Sequence, residues 1–445
     1  MALSFVQSGS VTIKAVTIGF IILILIVPLT LLQGLVTERS GLREQAYVRV
    51  AEGWGGSSVV GGPMLVVPTE EIILDDNRQK VVKVVRRDLY ALPSQLDVRV
   101  TMQMDSEQRY VGIYAVPVYL SNVDMTGQFD LAALRRYANR EGVTYLWKEA
   151  RLRLPLSQSR SLRKVAAARF GTTSLKLGPA GPGLYRGVES FVDLSEYAEA
   201  VAAPFAFNTV VAGSRDFSVL PVGSTTTVQI RSDWPHPSFQ GAFLPAKRTI
   251  DASGFDAHWQ VLELNRSYPS LWSDGEVNEE AMLESVIGVG LYQAVDVYQR
   301  GERAVKYALL FIALTFLTFF AWEQISRARM HPLQYLLVGL ALSTFYLLLI
   351  ALSEHLRFLL AYLIAATSLV SLIAIYIAGA LSSAKRGAVA GSAMTIVYGL
   401  LYALVLSEDY ALLLGAIILF VALAAVMLAT RRIDWYRGAD LPVED

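Results

Sequence analysis

The sequence contains no cysteine among its 445 residues. This absence excludes disulfide bonds, thiolate nucleophiles, cysteine-ligated zinc and iron–sulfur clusters. It also makes the chain indifferent to the redox state of its compartment, so an oxidising compartment is allowed but not indicated.

Charge is scarce as well, and neither sign prevails. Only 18% of the residues are Asp, Glu, Lys or Arg, and 39 basic residues balance 39 acidic ones. No net field exists to attract nucleic acid, which we therefore do not expect as a partner. In contrast, 53% of the residues are hydrophobic and the mean hydropathy is +0.42. Such an excess indicates a membrane protein whose first partner is the lipid bilayer.

The motifs of several common catalytic sites are also missing. The chain has no GxSxG elbow, phosphate-binding P-loop, dinucleotide fingerprint or HExxH pair, so hydrolase, NTPase, dehydrogenase and zinc-peptidase readings lose their usual support. Only four histidines are present, whereas a metal site normally needs three or four ligands. We expect no catalytic residue, no metal and no cofactor.

Six apolar runs are long enough to cross the hydrocarbon core of a bilayer, which takes about 20 helical residues. They extend from Ala15 to Val36, Tyr307 to Trp322, Leu333 to Leu352, Phe358 to Leu381, Ala388 to Leu406 and Tyr410 to Ala429. The first run resembles a signal peptide, but its length and poor cleavage site favour a retained anchor. Gly387 and Gly391 form a GxxxG at the start of the fifth run, which is typical of closely packed helices.

Basic residues at the ends of these runs predict the orientation, because short loops rich in Lys and Arg stay in the cytoplasm. Such residues follow the second, fourth and sixth runs: Arg327, Arg329, Lys385, Arg386, Arg431, Arg432 and Arg437. The alternate loops are acidic or mixed. The prediction is a multi-pass protein of a bacterial inner membrane with both termini in the cytoplasm. Residues 1–14 and 431–445 form the termini, 15–36 the first span, 37–303 a periplasmic domain, and 304–430 the other five spans.

The segment between the first two spans changes its period. Residues Thr37 to Glu52 continue a helical pattern, with Leu42, Ala46 and Val50 on one face. After a glycine-rich break, short runs rich in Val, Ile, Tyr and Thr predict antiparallel strands. These runs cover Met64–Pro68, Glu71–Leu74, Val81–Tyr90, Leu96–Met104, Tyr110–Leu120, Met125–Phe129, Val143–Pro155, Phe205–Ala212, Phe217–Val222, Thr225–Arg231, Gly254–Leu264 and Val286–Tyr298. We therefore predict a large, strand-rich, β-sandwich-like domain.

Two local features interrupt the strand pattern of this domain. Leu131 to Glu141 has apolar residues at helical spacing and is followed by Gly142, which predicts one helix. Asp75, Asp76 and Asn77 predict a hairpin turn between two strands.

The most distinctive stretch of the domain runs from Trp234 to Arg248. Its prolines restrict the backbone, and its aromatic rings flank a histidine, which suits a preorganised contact surface. The candidate contact residues are Trp234, His236, Pro237, Phe239, Lys247, Arg248, His258 and Trp259. The alternative is a proline-rich connection whose rings fill the core, which is the more common situation for such aromatics.

The same region offers the only acid–base candidates we single out. Asp256 and His258 are two apart in a predicted strand, so their side chains point to one face. With Asp233 and His236 they define an alternative, a membrane-bound enzyme acting on an envelope polymer or lipid. A second alternative is a transporter or lipid-handling protein. Against transport, the six apolar runs contain no ionisable residue at their centres.

Several segments resemble the CreD family of bacterial inner-membrane proteins. They are WPHPSFQGAFLPAKR at Trp234–Arg248, SGFDAHWQ at Ser253–Gln260, HPLQYLLVGLALSTFYLLLIALSEH at His331–His355, DYALLLGAIILFVALA at Asp409–Ala424, GPMLVVP from Gly62 and RRIDWY at Arg431–Tyr436. The resemblance implies a role in cell-envelope integrity and stress, linked to a two-component regulatory system, the β-lactam response and colicin tolerance. It implies no enzymatic activity. We expect a non-enzymatic protein whose periplasmic domain binds a cell-wall component or a periplasmic or inner-membrane protein.

Overall fold

A computed structural model describes residues 11–74, 81–107, 109–291, 297–326, 330–407 and 410–431. The predicted turn at Asp75–Asn77 lies outside these residues, as do the basic residues at 327, 329, 432 and 437. The chain divides into two compact units. One combines Met1–Leu42 with Val295–Asp445 and is called the membrane unit; the other, Arg43–Ala294, is called the strand-rich domain.

The described residues contain eight α-helices. They are α1 (Val11–Trp54), α2 (Leu131–Tyr137), α3 (Glu279–Leu283), α4 (Val297–Ser326), α5 (Pro332–Ser353), α6 (Phe358–Ala380), α7 (Ala384–Leu406) and α8 (Ala411–Thr430). Among them, α1, α4, α5, α6 and α7 are long and apolar enough to cross a membrane. Five of the six predicted spans therefore have a matching helix, while the sixth corresponds to the shorter apolar stretch Ala411–Ala425 of α8.

Helices α6 and α7 pack at the glycines that the sequence singled out. A Cβ atom added to Gly387 would come within 2.6 Å of the Ala374 carbonyl oxygen and of the Ala378 Cβ, and one on Gly391 within 3.1 Å of the Ala374 Cβ. Real Cβ atoms do not approach that closely, so only glycine permits this spacing at position 387. The predicted role of the GxxxG in close helix packing is confirmed.

Leucine at position 387 should therefore force α6 and α7 apart. We expect the Gly387→Leu protein to lose about 1–3 kcal/mol of unfolding free energy in detergent, as overpacked sites do. Gly399→Leu on the same helix is the matched control, because nothing lies within 4 Å of its added Cβ. Equal thermal stability of the two variants would contradict the packing argument.

The described part of the strand-rich domain contains 21 strands. They are β1 (Ser58–Gly61), β2 (Met64–Leu74), β3 (Val81–Ala91), β4 (Gln95–Met104), β5 (Arg109–Val111), β6 (Tyr114–Val116), β7 (Tyr119–Asp130), β8 (Val143–Tyr145), β9 (Arg151–Pro155), β10 (Leu162–Phe170), β11 (Thr173–Ser174), β12 (Gly178–Pro179), β13 (Gly187–Phe191), β14 (Ala202–Gly213), β15 (Asp216–Leu220), β16 (Thr225–Ser232), β17 (Pro237–Gly241), β18 (Lys247–Asp251), β19 (Gly254–Leu262), β20 (Leu271–Ser273) and β21 (Ile287–Leu291). The prediction of a strand-rich domain between the first and second membrane helices is confirmed.

The strands form three larger sheets and one hairpin. An eight-stranded sheet has the order β11-β10-β14-β7-β4-β16-β19-β18, and a four-stranded sheet has the order β1-β15-β21-β17. A seven-stranded sheet runs β12-β13-β9-β2-β3-β20 with β8 also on β2, and β5 pairs with β6. Most pairs are antiparallel as predicted, but β4–β16 and β1–β15 are parallel. Buried side chains from the three larger sheets share one hydrophobic core.

Regular alternation explains which strands were predicted well. In β4, buried residues alternate with polar ones from Leu96 to Met102, which places one face on the core and one in water. The single predicted strand at Val143–Pro155 is instead β8, a 3₁₀ turn at Trp147–Glu149, and β9. The predicted helix is present, but α2 ends at Tyr137 rather than Glu141.

The first helix continues well past the predicted span, as its pattern indicated. Along its last turns Ala46 and Val50 are buried, whereas Leu42 is 37% exposed. Arg160 and Arg163 donate to the terminal carbonyls of Glu52 (2.8 Å) and Trp54 (2.7 Å). These carbonyls have no partner within a helix, so the guanidinium groups cap its negative end.

A fully buried arginine organises the loop that joins β12 to β13. Arg153 donates through Nε and Nη2 to Glu189 Oε2, at 2.9 and 2.7 Å. It also donates to the carbonyls of Gly181, Pro182 and Leu184 at 3.2–3.4 Å. The counter-charge and three carbonyls together compensate the loss of water around this charge.

Candidate functional site

The segment from Trp234 to Arg248, called the contact segment, is largely exposed, and aromatic side chains hold it against the sheet. It contains β17 and the start of β18. Phe239 is half-buried and packs edge-to-face on Phe255 (5.7 Å between ring centroids) and Trp259 (5.8 Å). Trp234 is also half-buried, and its indole N–H donates to the His236 carbonyl at 3.0 Å. Aromatic anchors thus hold the backbone while other side chains of the segment stay in water.

Trp259 belongs to the support of the contact segment rather than to its surface. Its side chain is buried, and its indole N–H donates to the Phe243 carbonyl at 3.0 Å. This bond pins the loop between β17 and β18 onto the sheet. The alternative, in which the aromatic rings fill the core, is thus correct for Trp259 and in part for the half-buried Phe239. His236 and the two basic residues are exposed.

Lys247 and Arg248 are neighbours in sequence but lie on opposite faces of β18. Lys247 is opposite His258 in register, and Arg248 is opposite the buried Ala257. The guanidinium of Arg248 lies 5.7 Å from the centre of the Phe239 ring, a cation–π distance. Both side chains are exposed, so the two charges border the segment on two sides.

Asp256 and His258 share the solvent-facing side of β19, as their spacing predicted. His258 Nε2 lies 3.1 Å from Asp256 Oδ1. The carboxylate also accepts from Arg231 Nη2 (2.6 Å) and Gln229 Nε2 (3.0 Å). Partial burial by itself would raise the pKa of Asp256, but the hydrogen bonds from Arg231 and Gln229 outweigh it, so this pKa lies below its usual value. Asp256 is therefore a fixed anion at neutral pH.

The other two acid–base candidates are engaged differently. Asp233 Oδ1 accepts from the backbone N–H of Met104 at 3.0 Å, which ties the end of β16 to β4. His236 is exposed in the contact segment. A polar hollow of about 220 Å³ beside Asp256 is lined by Arg231, Ser232, Thr249, Asp251 and Ser253 among others. In the part of the chain that the structure describes, no three acidic or histidine side chains are grouped to hold a metal.

One polar cluster of the membrane unit was missed by the sequence reasoning. Glu323 of α4 is only 4% exposed and forms an ion pair with Lys14 of α1. Its carboxylate also accepts from the Met330 N–H (2.8 Å) and the Tyr335 hydroxyl (2.9 Å). Lys14 in turn donates to the Met330 carbonyl at 2.9 Å. The predicted second span ended one residue before Glu323, and the two partners are 309 positions apart, so no local pattern joined them.

Fold and site together define a multi-helix membrane protein with a strand-rich domain inserted after its first helix. Comparison with known proteins agrees. A profile described as "Inner membrane protein CreD" matches residues 10–436. The protein named "Inner membrane protein CreD" of Escherichia coli (strain K12) is 35% identical over 424 residues, covering 93% of this chain and 91% of that protein. The chain belongs to the CreD family and is a multi-pass inner-membrane protein.

Proposed function

We propose that this chain is a non-enzymatic cell-envelope protein whose strand-rich domain binds an envelope component or a protein partner through the contact segment. The observation that best supports this proposal is that His236, Lys247 and Arg248 are exposed while buried and half-buried aromatic rings hold their backbone in place. A backbone that is already ordered loses little entropy on binding. Because the segment carries two cations and no carboxylate, the expected partner presents anionic or hydrogen-bond-accepting groups.

The proposal includes the topology predicted from charge. Lys385 and Arg386 at the start of α7, with Arg431 after α8, support a cytoplasmic location for these ends. With α8 as the sixth span, both termini are cytoplasmic and the strand-rich domain is periplasmic. The family resemblance supports the further part of the proposal, a role in envelope integrity and stress that includes the response to β-lactams.

The enzyme alternative has less support from the geometry. A general base needs a free lone pair directed at a substrate. The Asp256 carboxylate is already engaged by Arg231, Gln229 and His258, and Asp233 accepts from a backbone amide. These contacts are typical of carboxylates that hold strands in place.

Charge reversal tests the contact segment. Cells lacking the gene and challenged with a β-lactam should be rescued by the native protein but not by Lys247→Glu/Arg248→Glu, although both proteins accumulate equally. Exposed charges seldom change stability by more than about 0.5 kcal/mol, so loss of rescue at equal accumulation reports a lost contact of the segment rather than lost folding. Lys164→Glu/Arg169→Glu is the matched control: two exposed basic residues on β10, in the same sheet but away from the contact segment.

A second variant separates the two functional readings. His236→Ala/His258→Ala should still rescue at least partly if the domain only binds, whereas an acid–base mechanism requires complete loss. Full rescue by the Lys247→Glu/Arg248→Glu protein would remove the contact segment from the proposal.

A further inference from the structure

Strand β18 is an edge strand of the eight-stranded sheet, so one side of its backbone has no neighbouring strand among the described residues. Among the described residues it pairs only with β19, in unbroken register from Lys247 opposite His258 to Asp251 opposite Gly254. All five of its residues are exposed, including Ile250 at 47%. In an antiparallel strand, alternate residues direct their N–H and C=O groups to opposite sides. The outer side of β18 therefore offers backbone groups to another strand.

Other sheet edges in the domain carry features that block pairing. Near the opposite end of the same sheet, β10, whose outer neighbour is the two-residue β11, has two register irregularities against β14. One of the two edge strands of the four-stranded sheet, β17, begins with Pro237, which has no N–H to donate. Bulges and prolines are the usual protection of edge strands. β18 has neither a bulge nor a proline. Its protection is its short length and its charges, which disfavour any strand that does not present opposite charges in register.

Those charges are arranged to accept an antiparallel copy of β18 itself. Lys247 and Arg248 occupy one end of the strand, Asp251 the other, and Thr249 the middle. In an antiparallel pair centred on Thr249, Lys247 of each copy faces Asp251 of the other. Arg248 faces Ile250, and Thr249 faces its own mate. A parallel pair would instead place like charges side by side, which is unfavourable.

The side chains that would meet lie on one face of the sheet, and Asp251 is ionised. Lys247, Thr249 and Asp251 alternate along β18 and share the face of His258 and Asp256. Asp251 Oδ1 accepts from the Ser253 amide (2.7 Å) and hydroxyl (2.5 Å). These bonds, the hydroxyl foremost, lower the pKa of Asp251, so it is an anion that Lys247 of a second copy can pair with.

We propose that β18 is a self-association surface: two copies of this chain join their β18 strands antiparallel about Thr249, which makes one continuous sheet from two eight-stranded sheets. The contact is isologous, as in most homodimers. Two five-residue strands bury much less than the roughly 1,600 Å² of a standard interface. Confinement of both copies to one membrane supplies the high effective concentration that so small a contact needs. This proposal goes beyond the proposed function, and it does not depend on which ligand the contact segment binds.

The absence of cysteine allows a direct test in native membranes. Thr249→Cys should form a disulfide-linked dimer under mild oxidation, because residues opposite each other in an antiparallel pair have Cα atoms about 4.5–5.5 Å apart, within the disulfide range. Arg248→Cys is the matched control, since it is adjacent and also exposed but faces Ile250 of the other copy rather than its own mate. Gln260→Cys, exposed on the neighbouring β19, reports random collisions. We expect at least about tenfold less dimer from either control than from Thr249→Cys.

Charge exchange in the Thr249→Cys background tests the register. Lys247→Glu and Asp251→Lys should each slow cross-linking about fivefold, because two weak attractions become repulsions. The double variant Lys247→Glu/Asp251→Lys is again self-complementary and should restore the rate. Its cross-linking does not depend on β-lactam rescue, so this proposal and the proposed function can fail separately.

Three results would overturn the proposal. One is equal cross-linking at positions 248, 249 and 260, which indicates collision without register. Another is failure of the double exchange to restore the rate although the variant accumulates and melts like the native protein. The third is a Thr249→Cys product that joins the chain to a different protein, which would assign the edge to that partner.

Discussion

Replacing Glu323 by glutamine is expected to lower the unfolding free energy of the protein by about 3 kcal/mol. The change removes the negative charge that pairs with Lys14. It also replaces one of the two carboxylate oxygens, which accept from the Met330 N–H and the Tyr335 hydroxyl, by an NH₂ group. Breaking one side of a buried ion pair typically costs about 3–5 kcal/mol. The lower end applies because Lys14 keeps 22% of its surface exposed. Thermal melting in detergent would measure the loss.

Glu302→Gln is the matched control for this change, since Glu302 lies on the same helix but is exposed. It should leave the melting temperature nearly unchanged. The double variant Lys14→Met/Glu323→Gln removes both charges together but keeps a side-chain oxygen as acceptor at 323, and it should recover part of the lost stability. If Glu323→Gln melts like Glu302→Gln, the ion pair contributes nothing to the unit.

Arg153→Met is expected to have the largest effect in the strand-rich domain, about 3–5 kcal/mol. The variant leaves Glu189 at 12% exposure without its cation and three loop carbonyls without their donor. We expect the 178–187 loop to open, so limited proteolysis should cut there before any other part of the domain. Chemical denaturation and mapping of the first cleavage site are the two measurements.

An exposed ion pair provides the comparison for Arg153. Arg86 and Glu70 pair at 2.6 Å on the surface, with side chains 68% and 32% exposed. Arg86→Met should cost less than about 1 kcal/mol, because water already solvates both groups. Similar losses for Arg86→Met and Arg153→Met would show that burial does not decide the strength of these pairs.

Sequence alone predicted the parts of the fold that depend on local periodicity. The extension of α1 was visible because Ala46 and Val50 recur at helical spacing, and β4, β16 and β19 were visible because buried and exposed residues alternate in them. Strand β18 was not predicted, because all of its residues are exposed and no alternation marks it.

The sequence indicated only part of the arrangement of the candidate site residues. Lys247 and Arg248 were treated as one basic pair, yet a strand places neighbours on opposite faces. Asp256 and His258 came together because they are two apart on one strand, whereas the Lys14–Glu323 pair depends on tertiary packing between distant helices. Local patterns carry no information on contacts of that length.

The way the strand-rich domain is inserted has a consequence for its unfolded state. Both ends of its roughly 250 residues belong to helices of a separately packed unit, α1 before it and α4 after it. An unfolded domain is then a closed loop rather than a free chain, and closing a loop of this length removes conformational entropy worth on the order of 5 kcal/mol at 25 °C. The membrane helices thus act on the domain as a covalent cross-link would, and a single cut in either connection returns that entropy to the unfolded chain.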